Sequence, residues 1–205
     1  MVTQFNYLFR LLDFFSSKSF CKYAAKYCKQ VGRKVHVSYN WKLVNPEFIT
    51  IGNNFSAGTN LRLQVWTEYN KEKTTYCRQA GEDPELIIGE NVSFVSNCQI
   101  SCVNKIIIGD GCLLGDNVFI TDNFHGSAEN HDELLYPPAL RHLTSKGKVV
   151  LGANCWVGRN VCIMPGVSIG EGCIIGANSV VTKSVPSYTV VAGTPAKVIR
   201  ILKKD

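Results

Sequence analysis

The sequence predicts a mainly β protein in which short parallel strands stack into a solenoid. Six consecutive hexads between Leu151 and Pro186 each open with an aliphatic residue. A six-residue period fits neither an amphipathic helix, which repeats about every 3.6 residues, nor a half-buried strand, which alternates about every two. It is typical of a solenoid whose bore is filled by aliphatic side chains and whose tight turns use Gly or Asn. The hexads open at Leu151, Val157, Ile163, Ile169, Ile175 and Val181.

Two further observations support the solenoid. The fifth place of each hexad is also small or apolar, with Cys155, Val161, Val167, Cys173, Ser179 and Val185 in turn. The same period continues upstream at Ile51, Ala57, Ile88, Phe94, Ile100, Ile108, Leu114 and Ile120. We therefore expect two inward positions in every six residues through most of the chain.

The hexads are followed by the segment Gly-Thr-Pro-Ala-Lys-Val-Ile-Arg, from Gly193 to Arg200. Together these features resemble the hexapeptide-repeat acyltransferases, which fold as a left-handed β-helix. The resemblance covers roughly residues 48 to 201. The chain is most similar to the sugar O-acetyltransferases of the maltose and galactoside type and to their relatives that modify surface polysaccharides. The resemblance implies a left-handed β-helix, acetyl-CoA as cosubstrate and a sugar or glycan acceptor.

The composition predicts a globular cytoplasmic protein. The 205 residues are 45% hydrophobic and 19% charged. No apolar run approaches the roughly 18 residues of a membrane-spanning helix, and polar residues interrupt any signal-peptide pattern between Phe5 and Phe20. Four of the nine cysteines occupy the fifth place of a hexad, which suits a small hydrophobe, and no CxxC spacing occurs. We expect reduced thiols and no metal site.

The positive charge is concentrated in residues 1–34, which hold seven Lys or Arg against Asp13 alone. Residues 35–205 hold fifteen basic and fifteen acidic residues and are neutral. We therefore divide the chain into a basic, amphipathic helical cap over 1–34 and a β-helix domain over 35–205. No nucleic-acid reader motif accompanies the charge, so nucleic acid is not an expected partner.

The apolar residues between Phe5 and Gln30 recur at near-helical spacing, with a break expected near Ser16 and Ser17. The segment has two interpretations. It caps the open edge of the first coil, as solenoids require. Alternatively, it docks on an anionic membrane surface, which would make the enzyme peripheral at the inner membrane face.

Three segments break the hexad period. Residues 60–86 predict an irregular coil or a loop that projects toward the substrate, and a slip at Cys102–Lys105 predicts a bulged corner. Residues 126–148 form a long loop rich in Glu, His and Asp, and loops of this length are usually functional or mobile. At the C-terminus, Lys197–Lys204 predicts a final strand or a short helix.

His125, directly before the long loop, is the predicted catalytic base. An alcohol attacks a thioester only while its proton is being removed, and imidazole titrates near neutral pH. The resemblance places the family's catalytic histidine at this junction. Many relatives carry a second histidine at the place of Asn123, and Asp122 and Asn123 are candidates for orienting the ring or binding the acceptor.

The resemblance also assigns residues to coenzyme A. An oxyanion donor is expected from a backbone amide near Gly158 or Arg159, and Trp156 is either core packing or a wall of the acyl pocket. The remaining cofactor positions are Ala177, Thr182, Lys183, Lys197 and Arg200, of which the basic side chains suit phosphates.

The family assembles as trimers with active sites between subunits, and the same homotrimer is expected here. Other interpretations remain: an antibiotic- or serine-type acetyltransferase, an amino-sugar N-acetyltransferase, or a non-catalytic scaffold. A zinc carbonic anhydrase on the same solenoid needs three His ligands, whereas residues 37–124 and 143–205 contain no His.

Overall fold

The computed structural model describes residues 2–70, 72–74, 83–127 and 129–202, with side chains described for 10–70, 74, 83–127 and 129–202. Its three main sheets wrap around one apolar core, and their strands pair in parallel except for one antiparallel pair near the C-terminus. Successive hexads contribute one strand in turn to each of the three sheets, which we call A, B and C. Strands from consecutive coils pair in register, for example Phe94 with Leu114 and Leu114 with Val157.

Sheet A contains Gln30–Val31, Ile49–Ile51, Glu85–Ile88, Lys105–Ile108, Val149–Leu151 and Ser168–Ile169. Sheet B contains His36–Val37, Ser56–Ala57, Ser93–Phe94, Leu113–Leu114, Trp156–Val157, Ile174–Ile175, Thr189–Gly193 and Ala196–Ile201. Sheet C contains Lys42–Val44, Arg62–Val65, Gln99–Cys102, Phe119–Thr121, Cys162–Ile163 and Val180–Val181. Two antiparallel hairpins leave the coils, Glu68–Tyr69 with Glu72–Lys73, and Phe124–His125 with Leu143–Thr144. The helices in the described residues are α1 (Val2–Tyr27), α2 (His131–Leu134) and the 3-10 turns Pro46–Phe48 and Pro138–Leu140.

The core confirms the hexad prediction. All six aliphatic residues that open the hexads between Leu151 and Val181 are buried, and so are the residues at the fifth places. Full burial of such a side chain stabilises the fold by about 1.5–3 kcal/mol. Since each coil contributes the same inward positions, the core is a continuous column along the helix axis.

Asparagine forms many of the corners, as predicted. Asn117, Asn160 and Asn178 have positive φ angles of 57, 56 and 59°, which Asn tolerates better than most residues. Their side chains also stack: the Nδ2 of Asn117 donates to Asn160 Oδ1 at 2.9 Å, and that of Asn160 to Asn178 Oδ1 at 2.8 Å. One residue type therefore provides both the backbone turn and a side-chain ladder between coils.

Helix α1 is continuous, so the predicted break near Ser16 and Ser17 is wrong. Both hydroxyls instead bind the solenoid: Ser17 Oγ accepts from the Val37 N–H, and Ser16 Oγ donates to the Ser38 carbonyl, each at 3.3 Å. Phe20 is fully buried and meets the Trp41 ring edge-on at 5.3 Å between centroids. The helix thus packs over the first coil. No described helix is long and apolar enough to cross a membrane.

The first strand of sheet A, Gln30–Val31, lies within the predicted cap 1–34, and the division of the chain at residue 34 stays a prediction. The C-terminal segment is a strand, Ala196–Ile201, that pairs antiparallel with Thr189–Gly193. Residues 203–205 lie outside the described residues, as does most of the charged stretch 71–82. The eight described cysteines are free, and five of them are buried.

Candidate active site

His125 leaves the solenoid on the hairpin that opens the long loop. Its strand pairs antiparallel so that His125 faces Leu143, and its side chain is exposed. The next residue, Gly126, has φ +80°, and a Cβ there would lie 2.6 Å from Glu133 Oε2 and 2.8 Å from Arg141 Cδ. Glycine is favoured at this position because the positive φ strains other residues, and a Cβ would also displace the Glu133 and Arg141 side chains.

Tyr69, on the other hairpin, contacts His125. The two ring centroids are 5.2 Å apart and the planes meet at 70°. The Tyr69 hydroxyl donates to the Ala139 carbonyl at 3.2 Å, and Asn70 Nδ2 donates to the same carbonyl at 2.8 Å. The loop predicted to project toward the substrate therefore meets the long loop beside the predicted base.

A cleft on the outer face of sheet C includes His125 in its lining, and we call it the acceptor cleft. Polar and aromatic side chains make up most of the lining. The polar residues are Gln64, Gln99, Ser101, Thr121 and Asn123, the aromatic residues are Trp66, Tyr69, Phe119 and Phe124, and Leu143 and Met164 complete the set. Gln64, Ser101 and Thr121 are aligned in register on neighbouring strands. Gln99 Nε2 donates to Gln64 Oε1 at 3.0 Å, which fixes the orientation of both amides.

A second cleft lies on the loop side of His125, and we call it the loop cleft. It is lined by Phe124, Gly126, Ser127, Glu129, Leu134, Arg141, Thr144, Ser145 and Lys146 as well as His125. Glu133 stabilises this loop by accepting from the Ser127 N–H at 2.6 Å. His125 is thus shared by two clefts, an arrangement suited to a group that contacts two substrates.

Asp122 is fully buried and does not face His125. Its Oδ1 accepts from the Val103 N–H at 2.8 Å and its Oδ2 from the Asn104 N–H at 2.9 Å. Burial raises the pKa of the Asp122 carboxyl, and these two backbone donors oppose that shift. The slip at Cys102–Lys105 is therefore the bulged corner that was predicted, and Asp122 holds it in place. Both carboxylate oxygens are thus engaged by the corner, and a role of Asp122 in orienting the ring or binding the acceptor stays a prediction.

Asn123 lies in the acceptor cleft. Its Nδ2 donates to the Ser101 carbonyl at 2.9 Å and lies 3.2 Å from Ser101 Oγ. These contacts hold the side chain against the preceding coil, with its Oδ1 as the remaining polar group. Asn123 and Asp122 together anchor the stem from which His125 emerges.

The residues predicted for coenzyme A do not line either cleft at His125. Trp156 is 55% exposed on sheet B, which excludes the core-packing alternative. The Gly158 N–H already donates to the Ile175 carbonyl at 2.8 Å, whereas the Arg159 N–H has no acceptor among the described residues. The other residues predicted to bind coenzyme A are all exposed: Ala177, Thr182, Lys183, Lys197 and Arg200.

Comparison with known proteins identifies the family. The model of bacterial transferase hexapeptide repeats (six repeats) matches residues 148–183. WbbJ of Escherichia coli, which is named for O-acetyl transfer in lipopolysaccharide biosynthesis, is 36% identical over 159 residues, or 76% of this chain and 73% of WbbJ. The chain belongs to the hexapeptide-repeat transferase family.

Two other proteins define the likeness further. The galactoside O-acetyltransferase of Escherichia coli is 36% identical over 118 residues, which are 55% of this chain and 52% of that protein. A crystal structure of an AntD variant from Bacillus cereus, an N-acyltransferase in complex with dTDP and coenzyme A, has a TM-score of 0.70 at 20% identity. The superposition covers 92% of this chain and 90% of AntD. The left-handed β-helix of hexapeptide repeats predicted from the sequence is the fold of this chain.

Replacing Tyr69 tests whether this hexapeptide-repeat transferase uses the ring contact. We expect Tyr69→Ala to lower kcat about tenfold, because loss of the neighbouring ring frees the imidazole to leave its reactive orientation. Tyr69→Phe keeps the ring and loses only the hydroxyl bond to Ala139, so it serves as the matched control with near wild-type kcat. Equal kcat values for both variants and wild type would show that Tyr69 does not position His125.

Proposed function

We propose that the protein is an acetyl-CoA-dependent O-acetyltransferase that acts on a sugar hydroxyl in the synthesis of a surface polysaccharide. The observation that carries the proposal is the exposed imidazole of His125 in a cleft lined by polar and aromatic side chains. Amide and hydroxyl groups suit sugar hydroxyls, and flat aromatic rings suit the faces of a sugar ring. The names of WbbJ and of the galactoside O-acetyltransferase support the same reaction.

His125 acts as general base in a direct transfer. Its imidazole takes the proton of the acceptor hydroxyl while the hydroxyl oxygen attacks the carbonyl carbon of the thioester. The imidazolium then returns this proton to the departing thiolate, so an ester forms as the thioester breaks. Gln64, Gln99 and Asn123 orient the acceptor, and no acyl-enzyme is formed.

The predicted cofactor residues fit a long anionic ligand. Within the described part of the chain, Lys183, Lys197 and Arg200 form no ion pair, and all three are exposed. Their charges are therefore available to phosphates. The Arg159 N–H is the proposed oxyanion donor, and Trp156 and Ala177 border the acyl arm. AntD, which shares the fold, is complexed with coenzyme A.

A homotrimer explains why these residues do not line the clefts at His125 within one chain. We place His125 of one subunit opposite Trp156, Arg159 and Lys183 of the next. The interpretation is tested by co-expressing His125→Ala with Lys183→Gln/Arg200→Gln. An intact site needs His125 from a Lys183→Gln/Arg200→Gln subunit and the two cations from a neighbouring His125→Ala subunit. Random mixing should therefore leave about a quarter of the sites intact. Mixed trimers with no recovered turnover would contradict an intersubunit site.

The chemistry of the product tests O-transfer against N-transfer. The enzyme and acetyl-CoA are incubated with neutral sugars or with amino sugars of matched stereochemistry. Each product is identified by mass spectrometry before and after treatment with mild alkali. We expect alkali-labile esters on the neutral sugars. An alkali-stable amide formed only on amino sugars would replace the proposal with N-acetyl transfer, the reaction class in AntD's name.

A further inference from the structure

The outward side of α1 carries an exposed apolar patch next to a row of lysines. The apolar patch consists of Leu12, Phe14 and Phe15, which are 50, 50 and 63% exposed. The lysine row consists of Lys18, Lys22 and Lys26, all exposed. Residues four apart lie one above the other on a helix, so the row forms a stripe of positive charge. The opposite side of α1, with Phe20 and Ala24, is buried against the solenoid.

The single acidic residue of residues 1–34 is paired with a residue of the first coil. Asp13 Oδ2 lies 3.1 Å from His36 Nε2 of the first coil, so the carboxylate faces the solenoid. The Lys18 ammonium lies 4.3 Å from the Phe14 ring centroid, which places cation and aromatic ring side by side. The outer surface of the described helix therefore combines aromatic and basic groups, and the one carboxylate beside them, Asp13, is paired with His36.

We propose that α1 docks the enzyme on an anionic lipid bilayer. The apolar patch enters the boundary between headgroups and acyl chains, and the lysine row lies against the lipid phosphates. Aromatic residues beside lysines on one side of a helix are what interfacial binding requires, and each lysine near an anionic surface adds to the affinity. A second copy of the chain is a poorer occupant, because it would bring two lysine rows together and they would repel. The proposal does not depend on acetyl transfer.

Vesicle flotation of the full chain tests the proposal. Vesicles of phosphatidylcholine with phosphatidylglycerol are compared with vesicles of phosphatidylcholine alone. We expect binding to the anionic vesicles only, weakened at high salt. Lys18→Gln/Lys22→Gln/Lys26→Gln should lower the partition coefficient about a hundredfold. Leu12→Ser/Phe15→Ser should lower it about tenfold or more, because the apolar anchor is lost.

A matched control removes the same charge elsewhere. Lys148→Gln/Lys183→Gln/Arg200→Gln takes three exposed cations from the solenoid and should retain vesicle binding within about twofold. Equal binding of both triple variants, equal binding to the two vesicle types, or no binding by wild type would overturn the proposal. If wild type does not bind and Leu12→Ser/Phe15→Ser lowers its mass in sedimentation, a second copy covers the patch. Circular dichroism confirms that each variant is folded.

Discussion

His125→Ala is expected to lower kcat for acetyl transfer by about a hundredfold to ten-thousandfold, the usual effect of removing a general base. The exposed imidazole is the only described histidine side chain that borders both the acceptor cleft and the loop cleft. Without it, the hydroxyl proton passes to water, which is a weaker and unpositioned base. KM for acetyl-CoA should change little, because the imidazole binds no part of the cofactor's phosphates.

His131→Ala is the control for this substitution. His131 lies in α2 of the same loop and is exposed, so the variant removes an imidazole from the loop without removing the proposed base. Its kcat should stay within about twofold of wild type. A His125→Ala enzyme with wild-type kcat, or equal losses in the two variants, would remove His125 as the base.

Asp122→Ala is expected to lower the free energy of unfolding by about 2–6 kcal/mol. The substitution leaves the buried N–H of Val103 and the half-buried N–H of Asn104 without acceptors, at about 1–3 kcal/mol each. Chemical denaturation of the purified variant measures the loss. Asp122 and Asn123 form the stem of the His125 hairpin, so kcat should also fall. The fold-decrease in kcat should exceed the fold-increase in KM.

Asp110→Ala is the matched control for stability. Asp110 is exposed and its Oδ1 accepts from one backbone group, the Glu90 N–H, at 2.8 Å. Water can replace this acceptor, so the free energy of unfolding should change by about 0.5 kcal/mol or less. If Asp122→Ala were as stable as Asp110→Ala, the buried corner would not depend on the carboxylate.

The coils could be predicted from the sequence because their cause is local and repeated. Each hexad must place an aliphatic residue inward, so positions such as Val157 and Ile175 reveal the register without knowledge of any distant contact. The corner asparagines follow for the same reason, since a tight turn with positive φ restricts the residue type. The location of His125 at the end of a coil required only this register.

The acceptor cleft was missed in part because its residues meet across coils of irregular length. Gln64, Ser101 and Thr121 each follow an inward aliphatic residue, a signal that points to one outer face. Their alignment was not recognised because the intervals between them differ. The contact of Tyr69 with His125 depends on how two loops pack against each other, and the hexad period does not predict the packing of loops. The burial of Asp122 depends on a slip one coil earlier, which aims two N–H groups at it.

The account is tested most directly by acceptor-dependent release of coenzyme A thiol from acetyl-CoA, measured for wild type and His125→Ala with one panel of sugars. We predict turnover by wild type that requires a sugar, yields an acetyl ester and falls at least about a hundredfold in the variant. Thiol release that is independent of any sugar, or that is unchanged in His125→Ala, would contradict the proposed reaction and its base.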